Sequence, residues 1–220
     1  MSVQVKICGI TSVDAADAAA KAGADYAGLV FFRRSPRHVN PDQAGAIAAR
    51  LRGRCRIIAL FADADDGEIE AAVRTVGPDV LQLHGSETVE RVAAIRAHFG
   101  IPVMKSFAIA EAGDFANVAQ YERAADMLLF DTKAPANATR PGGHGAAFDW
   151  QLLRGRNFAR GWLLGGGLNA ENVARAIRIS GAPGVDCSSG VESAPGIKDA
   201  QMIRDFVAAA RAARYAEAAS

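Results

Sequence analysis

Eight times along its 220 residues, this chain alternates a short apolar run rich in Val, Ile, Leu and Phe with a longer, alanine-rich stretch of helical periodicity. Few architectures accommodate that order. The expected strands span residues 3–8, 26–31, 56–61, 80–83, 102–107, 127–131, 161–164 and 184–187, and helices are expected to fill the intervals. Most of these runs are continuously apolar rather than alternating, the pattern of strands buried on both faces in a parallel sheet covered by helices. Helix starts are expected at Thr11 with Asp14 three residues on, at Asn40 before Pro41, at Ser86 before Glu87, and at Asn169, because each side chain can accept from free backbone N–H groups. Gly23 and Gly100 stand where a left-handed residue would end the first and fourth helices. Residues 207–220 read as a final helix that frays.

No break in composition divides the chain, so residues 1–220 are expected to form one domain. Eight βα units fit either an open doubly wound sheet or a closed (βα)8 TIM barrel, an α/β fold of about this length. The positions of the unusual residues favour the barrel. Cys8-Gly9, Ser35-Pro36-Arg37, His84-Gly85, Asp131-Thr132, Gly165-Gly166-Gly167 and Ser188-Ser189-Gly190 all follow strand ends, where a barrel collects its chemistry on one face.

With half the residues hydrophobic and a formal net charge of +1, the chain has neither the composition of a disordered segment nor a patch suited to nucleic acid. A small molecule is the expected partner, with no obligatory protein partner. No apolar run reaches the ~18 residues that span a bilayer, and the start lacks the apolar stretch of a signal peptide, so a cytoplasmic location is expected. Cys8, Cys55 and Cys187 are scattered without CxxC spacing, which points to reduced thiols rather than to disulfides or a zinc site.

Two glycine-bearing loops follow the last two strands, Leu164-Gly165-Gly166-Gly167-Leu168-Asn169 and Asp186-Cys187-Ser188-Ser189-Gly190-Val191-Glu192. Glycine lets a backbone approach an anion closely, and free N–H groups hold a phosphate without a lysine. Either loop alone also reads as a tight turn. Both together, at a barrel's usual phosphate position, make Gly166, Gly167, Ser189 and Gly190 candidate phosphate contacts.

From Val5 to about Phe206 the chain resembles the phosphoribosylanthranilate isomerase family. The resemblance is carried by Lys6-Ile7-Cys8-Gly9-Ile10-Thr11, Phe31 through Ser35-Pro36-Arg37, Leu81-Gln82-Leu83-His84-Gly85, Leu129-Phe130-Asp131 with Gly142-Gly143-His144-Gly145, and Gly184 through Glu192. It implies an Amadori rearrangement of N-(5-phosphoribosyl)anthranilate in tryptophan biosynthesis, an isomerisation that requires no redox cofactor and no metal. It further implies that Cys8 is the general base, Asp131 the general acid and Arg37 the contact to the anthranilate carboxylate. Asp186 either meets the substrate hydroxyls or makes a structural contact. His84 is not an assigned catalyst of the family, and His144 stands where the family usually has Thr or Ser.

Chemistry sets conditions on these roles. A cysteine acts as a base only as a thiolate, and Lys6, two residues back on the same strand face, either lowers the Cys8 pKa or pairs with another layer. Asp131 must do the opposite and keep its proton, which burial or a nearby anion would arrange. Cys187 reads as a small core residue. Residues 132–147 form the longest loop and are expected to act as a lid. Two other readings have consequences of their own. A histidine-pathway isomerase would carry Asp in place of Cys8 and repeat its halves, and a non-catalytic phosphosugar-binding module would have no need of Cys8 and Asp131. With one domain expected, a free-standing isomerase is the expectation.

Overall fold

The computed structural model describes residues 2–133 and 147–213. Eight parallel strands close into a barrel in chain order: β1 (Gln4–Cys8), β2 (Tyr26–Val30), β3 (Arg56–Phe61), β4 (Val80–Leu83), β5 (Val103–Ile109), β6 (Met127–Thr132), β7 (Gly161–Leu164) and β8 (Gly184–Cys187). The barrel closes where β1 pairs with β8, with Lys6 opposite Asp186 in the register. Of the two arrangements open to the sequence, the closed barrel is the one formed.

Among the described residues, seven helices accompany the strands: α1 (Val13–Ala22), α2 (Pro41–Leu51), α3 (Asp66–Val76), α4 (Val89–Phe99), α5 (Val118–Tyr121), α6 (Val173–Ser180) and α7 (Ala200–Ala212). The interval between β5 and β6 holds only a 3-10 turn, Ala112–Phe115, and the single turn of α5. Before β7 the described residues hold another 3-10 turn, Trp150–Leu153. Between β5 and β6 the expected full helix is therefore replaced, where Gly113 and Asn117 interrupt the periodic run.

Three helix starts shift from expectation. Ser12 rather than Thr11 caps α1, accepting from the Ala15 N–H, because the Thr11 hydroxyl donates instead to the Gly196 carbonyl. Thr88 rather than Ser86 caps α4, since the Ser86 N–H is held by Asp63 Oδ1. Asn169 accepts from the N–H groups of Glu171 and Asn172 in the turn ahead of α6, which begins four residues later. Asn40 caps α2 in a reciprocal box with Gln43, and Gly23 and Gly100 end α1 and α4 at φ 83° and 64°, as expected.

Strand side chains alternate between two cores. Those facing outward, such as Ile7, Leu29, Phe61, Leu81 and Leu83, pack against the helices in the main apolar layer. Those facing inward fill the barrel, where Tyr26, Ile58, Val80, Met104, Leu129 and Leu163 form an apolar floor. A fully buried side chain of this size contributes about 1.5–3 kcal/mol, so the floor is a rigid base for whatever stands above it.

Candidate active site

Above that floor the inward positions turn polar. Lys6 and Cys8 on β1, Gln82 on β4, Ser106 on β5, Asp131 on β6 and Asp186 on β8 continue the inward alternation toward the C-terminal strand ends. Cys8 packs with Val30, Leu60 and Phe32. Its register partner is Gly28, where an added Cβ would stand 3.0 Å from Cys8 Sγ and 3.4 Å from Lys6 Cε. A glycine at this point of β2 is what leaves the thiol its space.

Lys6 is fully buried and its Nζ lies 3.0 Å from Asp186 Oδ1. Burial by itself would discharge it, but Asp186 and Cys8 outweigh that cost and hold its pKa above the usual value. For Cys8 the balance falls the other way: burial pushes the thiol up, and the pull of Lys6 only partly offsets it. Lys6 thus does both things open to it, pairing across the barrel seam and favouring a Cys8 thiolate. Burial, and next the charge of Asp186, push Asp131 up to about 7, against the Thr132 N–H and the cations Lys6 and Arg37. An acid near 7 holds its proton in an appreciable fraction of molecules at neutral pH.

Arg37 is buried, and its fork engages Glu192 with Nε at 2.7 Å and Nη2 at 2.8 Å. Glu192 opens a small hairpin, β9 (Glu192–Ala194) with β10 (Ile197–Lys198), and also accepts from Lys198 Nζ at 2.6 Å. Two cations share one carboxylate, leaving a net positive corner, and the Nη1 side of the fork is free of Glu192. Gly9, at φ 77°, lets Arg37 lie across it, since any Cβ there would meet the Arg37 side chain.

The two glycine loops meet at the seam of β7 and β8. Gly166 and Gly167 have φ of 85° and 62°, and a Cβ on Gly166 would stand 2.7 Å from the Thr132 nitrogen. Gly190 packs directly on the Leu168 carbonyl, which also accepts from Cys187 Sγ at 3.1 Å. Cys187 is buried with its pKa raised, chiefly by burial, and serves as a bridge between loops. The backbone N–H groups of Gly166, Gly167 and Ser189 donate to no acceptor among the described residues, so the seam offers unspent donors.

On the far side, a cavity of about 270 Å³ opens between Phe32, Asp63, His84, Ser86, Ser106 and Ala108. Gln82 Nε2 lies 3.0 Å from both His84 Nδ1 and Ser106 Oγ, and His84 Nε2 lies 3.5 Å from Asp131 Oδ2. The base of this wall is fixed by Glu87, which takes Lys105 Nζ at 2.8 Å and the N–H groups of Asp63 and Gly85.

The structure gathers Cys8, Asp131, Asp186, Arg37, Gly166, Gly167, Ser189 and Gly190 at the C-terminal end of one barrel. The lid expected over residues 132–147 lies almost entirely outside the described residues, and His144 lies outside them altogether. Sequence reasoning assigned no site role to Glu192, Lys198, Gly28 or Gln82. Only Gln82 carried a signal of its own, a polar residue within an apolar strand run.

The family model for N-(5'phosphoribosyl)anthranilate (PRA) isomerase matches residues 5–209. A curated N-(5'-phosphoribosyl)anthranilate isomerase of Rhodopseudomonas palustris is 52% identical over 213 residues, covering 97% of this chain and 100% of the relative. The crystal structure of phosphoribosyl anthranilate isomerase from Thermotoga maritima superposes with a TM-score of 0.85 at 35% identity, covering 96% of this chain and 99% of that one. A phosphoribosyl anthranilate isomerase solved in complex with reduced 1-(o-carboxyphenylamino)-1-deoxyribulose 5-phosphate superposes at 0.81 with 32% identity, again over 96% and 99%. The barrel, the site at its mouth and these likenesses agree: the chain belongs to the N-(5'-phosphoribosyl)anthranilate isomerase family.

Proposed function

We propose that this barrel converts N-(5-phosphoribosyl)anthranilate to 1-(2-carboxyphenylamino)-1-deoxyribulose 5-phosphate, with Asp131 as general acid and Cys8 as general base. The observation that carries the assignment is the placement of a carboxyl group with its pKa near 7 in the same barrel mouth as a buried cysteine flanked by an ammonium group. Asp131 donates its proton to the ribose ring oxygen as the C1′–O bond breaks and the anilino nitrogen forms a Schiff base. Cys8, as thiolate, then removes the C2′ proton to give an enol amine, and loss of the O2′ hydroxyl proton with protonation at C1′ completes the aminoketose. Each such proton transfer contributes about 10²–10⁴ in rate.

The remaining groups bind. The open edge of Arg37 suits the anthranilate carboxylate, held in place by Glu192 from the other edge. The unspent N–H groups of Gly166, Gly167 and Ser189, with Gly190 closing the loop, suit the phosphate. Asp186, tied to Lys6, adds its charge to the burial that raises the Asp131 pKa and has its second oxygen available for a ribose hydroxyl. No redox cofactor or metal is called on. A cytoplasmic setting agrees with the small-molecule pathway, and no described helix is long and apolar enough to cross a membrane.

Loss of substrate fluorescence on adding the purified chain tests the activity. Turnover that inorganic phosphate inhibits competitively supports the reading. A folded chain that binds the product analogue without turning over substrate removes it.

A further inference from the structure

Gln82 lies on β4 and His84 directly follows it, so both enter the barrel interior from the wall opposite β8. Gln82 is fully buried, and one atom, Nε2, serves both His84 Nδ1 and Ser106 Oγ at 3.0 Å. An amide nitrogen has two hydrogens to give and cannot accept, so the ring nitrogen facing it is the acceptor and the proton of neutral His84 sits on Nε2. Reversing the amide would leave two buried N–H groups unmet. The orientation present leaves only Oε1 without a partner among the described residues.

That assignment aims an N–H at the acid. His84 Nε2 is 3.5 Å from Asp131 Oδ2, while Asp131 Oδ1 takes the Thr132 N–H at 2.8 Å. The Thr132 N–H bond is made, and His84 Nε2 stands at the edge of hydrogen-bond range of the second oxygen, a few tenths of an ångström from donating to it. The other charged groups acting on Asp131 are Asp186 from β8, Lys6 from β1 and Arg37 from the loop after β2, and Asp63 shares the cavity with His84. Burial and Asp186 favour the protonated acid, whereas the Thr132 N–H, Lys6 and Arg37 favour its anion.

We propose that Gln82 locks His84 as the Nε2–H tautomer, and that His84 is thereby the positioning residue that orients Asp131 and receives its carboxylate once the proton has passed to the substrate. The inference rests on the reading of Asp131 as general acid. His84 neither gains nor loses a proton in this step: the Asp131 proton goes to the ribose ring oxygen, that oxygen keeps the electrons of the broken C1′ bond, and the His84 N–H donates a hydrogen bond to the new anion.

Long-range 1H–15N NMR of the intact chain, with the His84 signals assigned by their loss in His84→Leu, reads which ring nitrogen carries the proton. The expected result is a bare Nδ1, with mixed tautomers in Gln82→Leu. Carboxyl 13C titration, assigned through Asp131→Asn, should place the Asp131 pKa about one unit higher in His84→Leu than in the parent. In the same variant kcat should fall about tenfold with KM within about twofold, and His84→Gln, which keeps an N–H at a similar reach, should recover most of kcat. A proton on Nδ1 in the unmodified chain overturns the lock without any variant having to fold. An unmoved Asp131 titration together with parental kcat in folded His84→Leu overturns the positioning role. Should Asp131→Asn itself turn over at the parental rate, the acid reading fails and this role fails with it, whatever tautomer His84 shows.

Discussion

Lys6 and Asp186 are register partners on the two strands that close the barrel, and their side chains form a buried ion pair with Nζ 3.0 Å from Oδ1. The seam of the fold and the electrostatics of the site are thus one structure. Lys6 compensates Asp186, favours ionisation of Cys8, and works against the protonation of Asp131 that Asp186 promotes.

Lys6→Met should lower stability by about 3 kcal/mol, because it leaves Asp186 enclosed without its counter-charge. It should also raise the Cys8 pKa further. Denaturant unfolding checks the first effect, and the pH dependence of Cys8 alkylation checks the second. Adding Asp186→Asn should restore much of the lost stability.

Gly28→Ala should damage activity more than the fold. The new methyl would crowd Cys8 Sγ at 3.0 Å and Lys6 Cε at 3.4 Å, with an overpacking cost of about 1–3 kcal/mol. The expected outcome is kcat reduced at least tenfold in a protein whose circular dichroism matches the parent.

Asp131→Asn should stabilise the protein in a pH-dependent way. The carboxyl group titrates near 3.8 when unperturbed and near 7 in the fold, so between those values the folded state retains a proton that the unfolded chain has lost. Stability attached to this proton is fully present below pH 3.8 and is lost as pH rises through 7, where ionised Asp131 costs up to about 4 kcal/mol. Unfolding at pH 8 should therefore show the variant more stable than the parent by about 2–4 kcal/mol, with the difference shrinking to about 1 kcal/mol near pH 4.5.

Arg37→Lys keeps the charge and loses the fork that Glu192 holds at 2.7 and 2.8 Å. KM should rise about tenfold or more, because a bidentate carboxylate grip is lost, while kcat changes little. Steady-state kinetics separates the two terms.

The barrel was readable because its strands are continuous apolar runs bounded by Gly, Pro and charged residues. The expected and observed limits of β3, β4, β7 and β8 coincide. Helix starts were less readable because several side chains compete for each set of free N–H groups, and a distant partner decides, as Gly196 does for Thr11 and Asp63 for Ser86. Motif resemblance singled out Cys8, Asp131 and Arg37 without revealing what surrounds them. The hold of Glu192 on Arg37 joins residues far apart in the chain and exists only once the β9–β10 hairpin folds against the loop after β2. Lys6 was recognised through strand alternation as a neighbour of Cys8, yet its partner Asp186 required the barrel to close.

The most direct test compares the rate of substrate fluorescence loss by the intact chain with Cys8→Ser and Asp131→Asn, both verified as folded, under single-turnover conditions. The account predicts turnover by the intact chain and a drop of about 10²–10⁴ in each variant. Retention of the parental rate by either folded variant would contradict the acid and base assigned to this site.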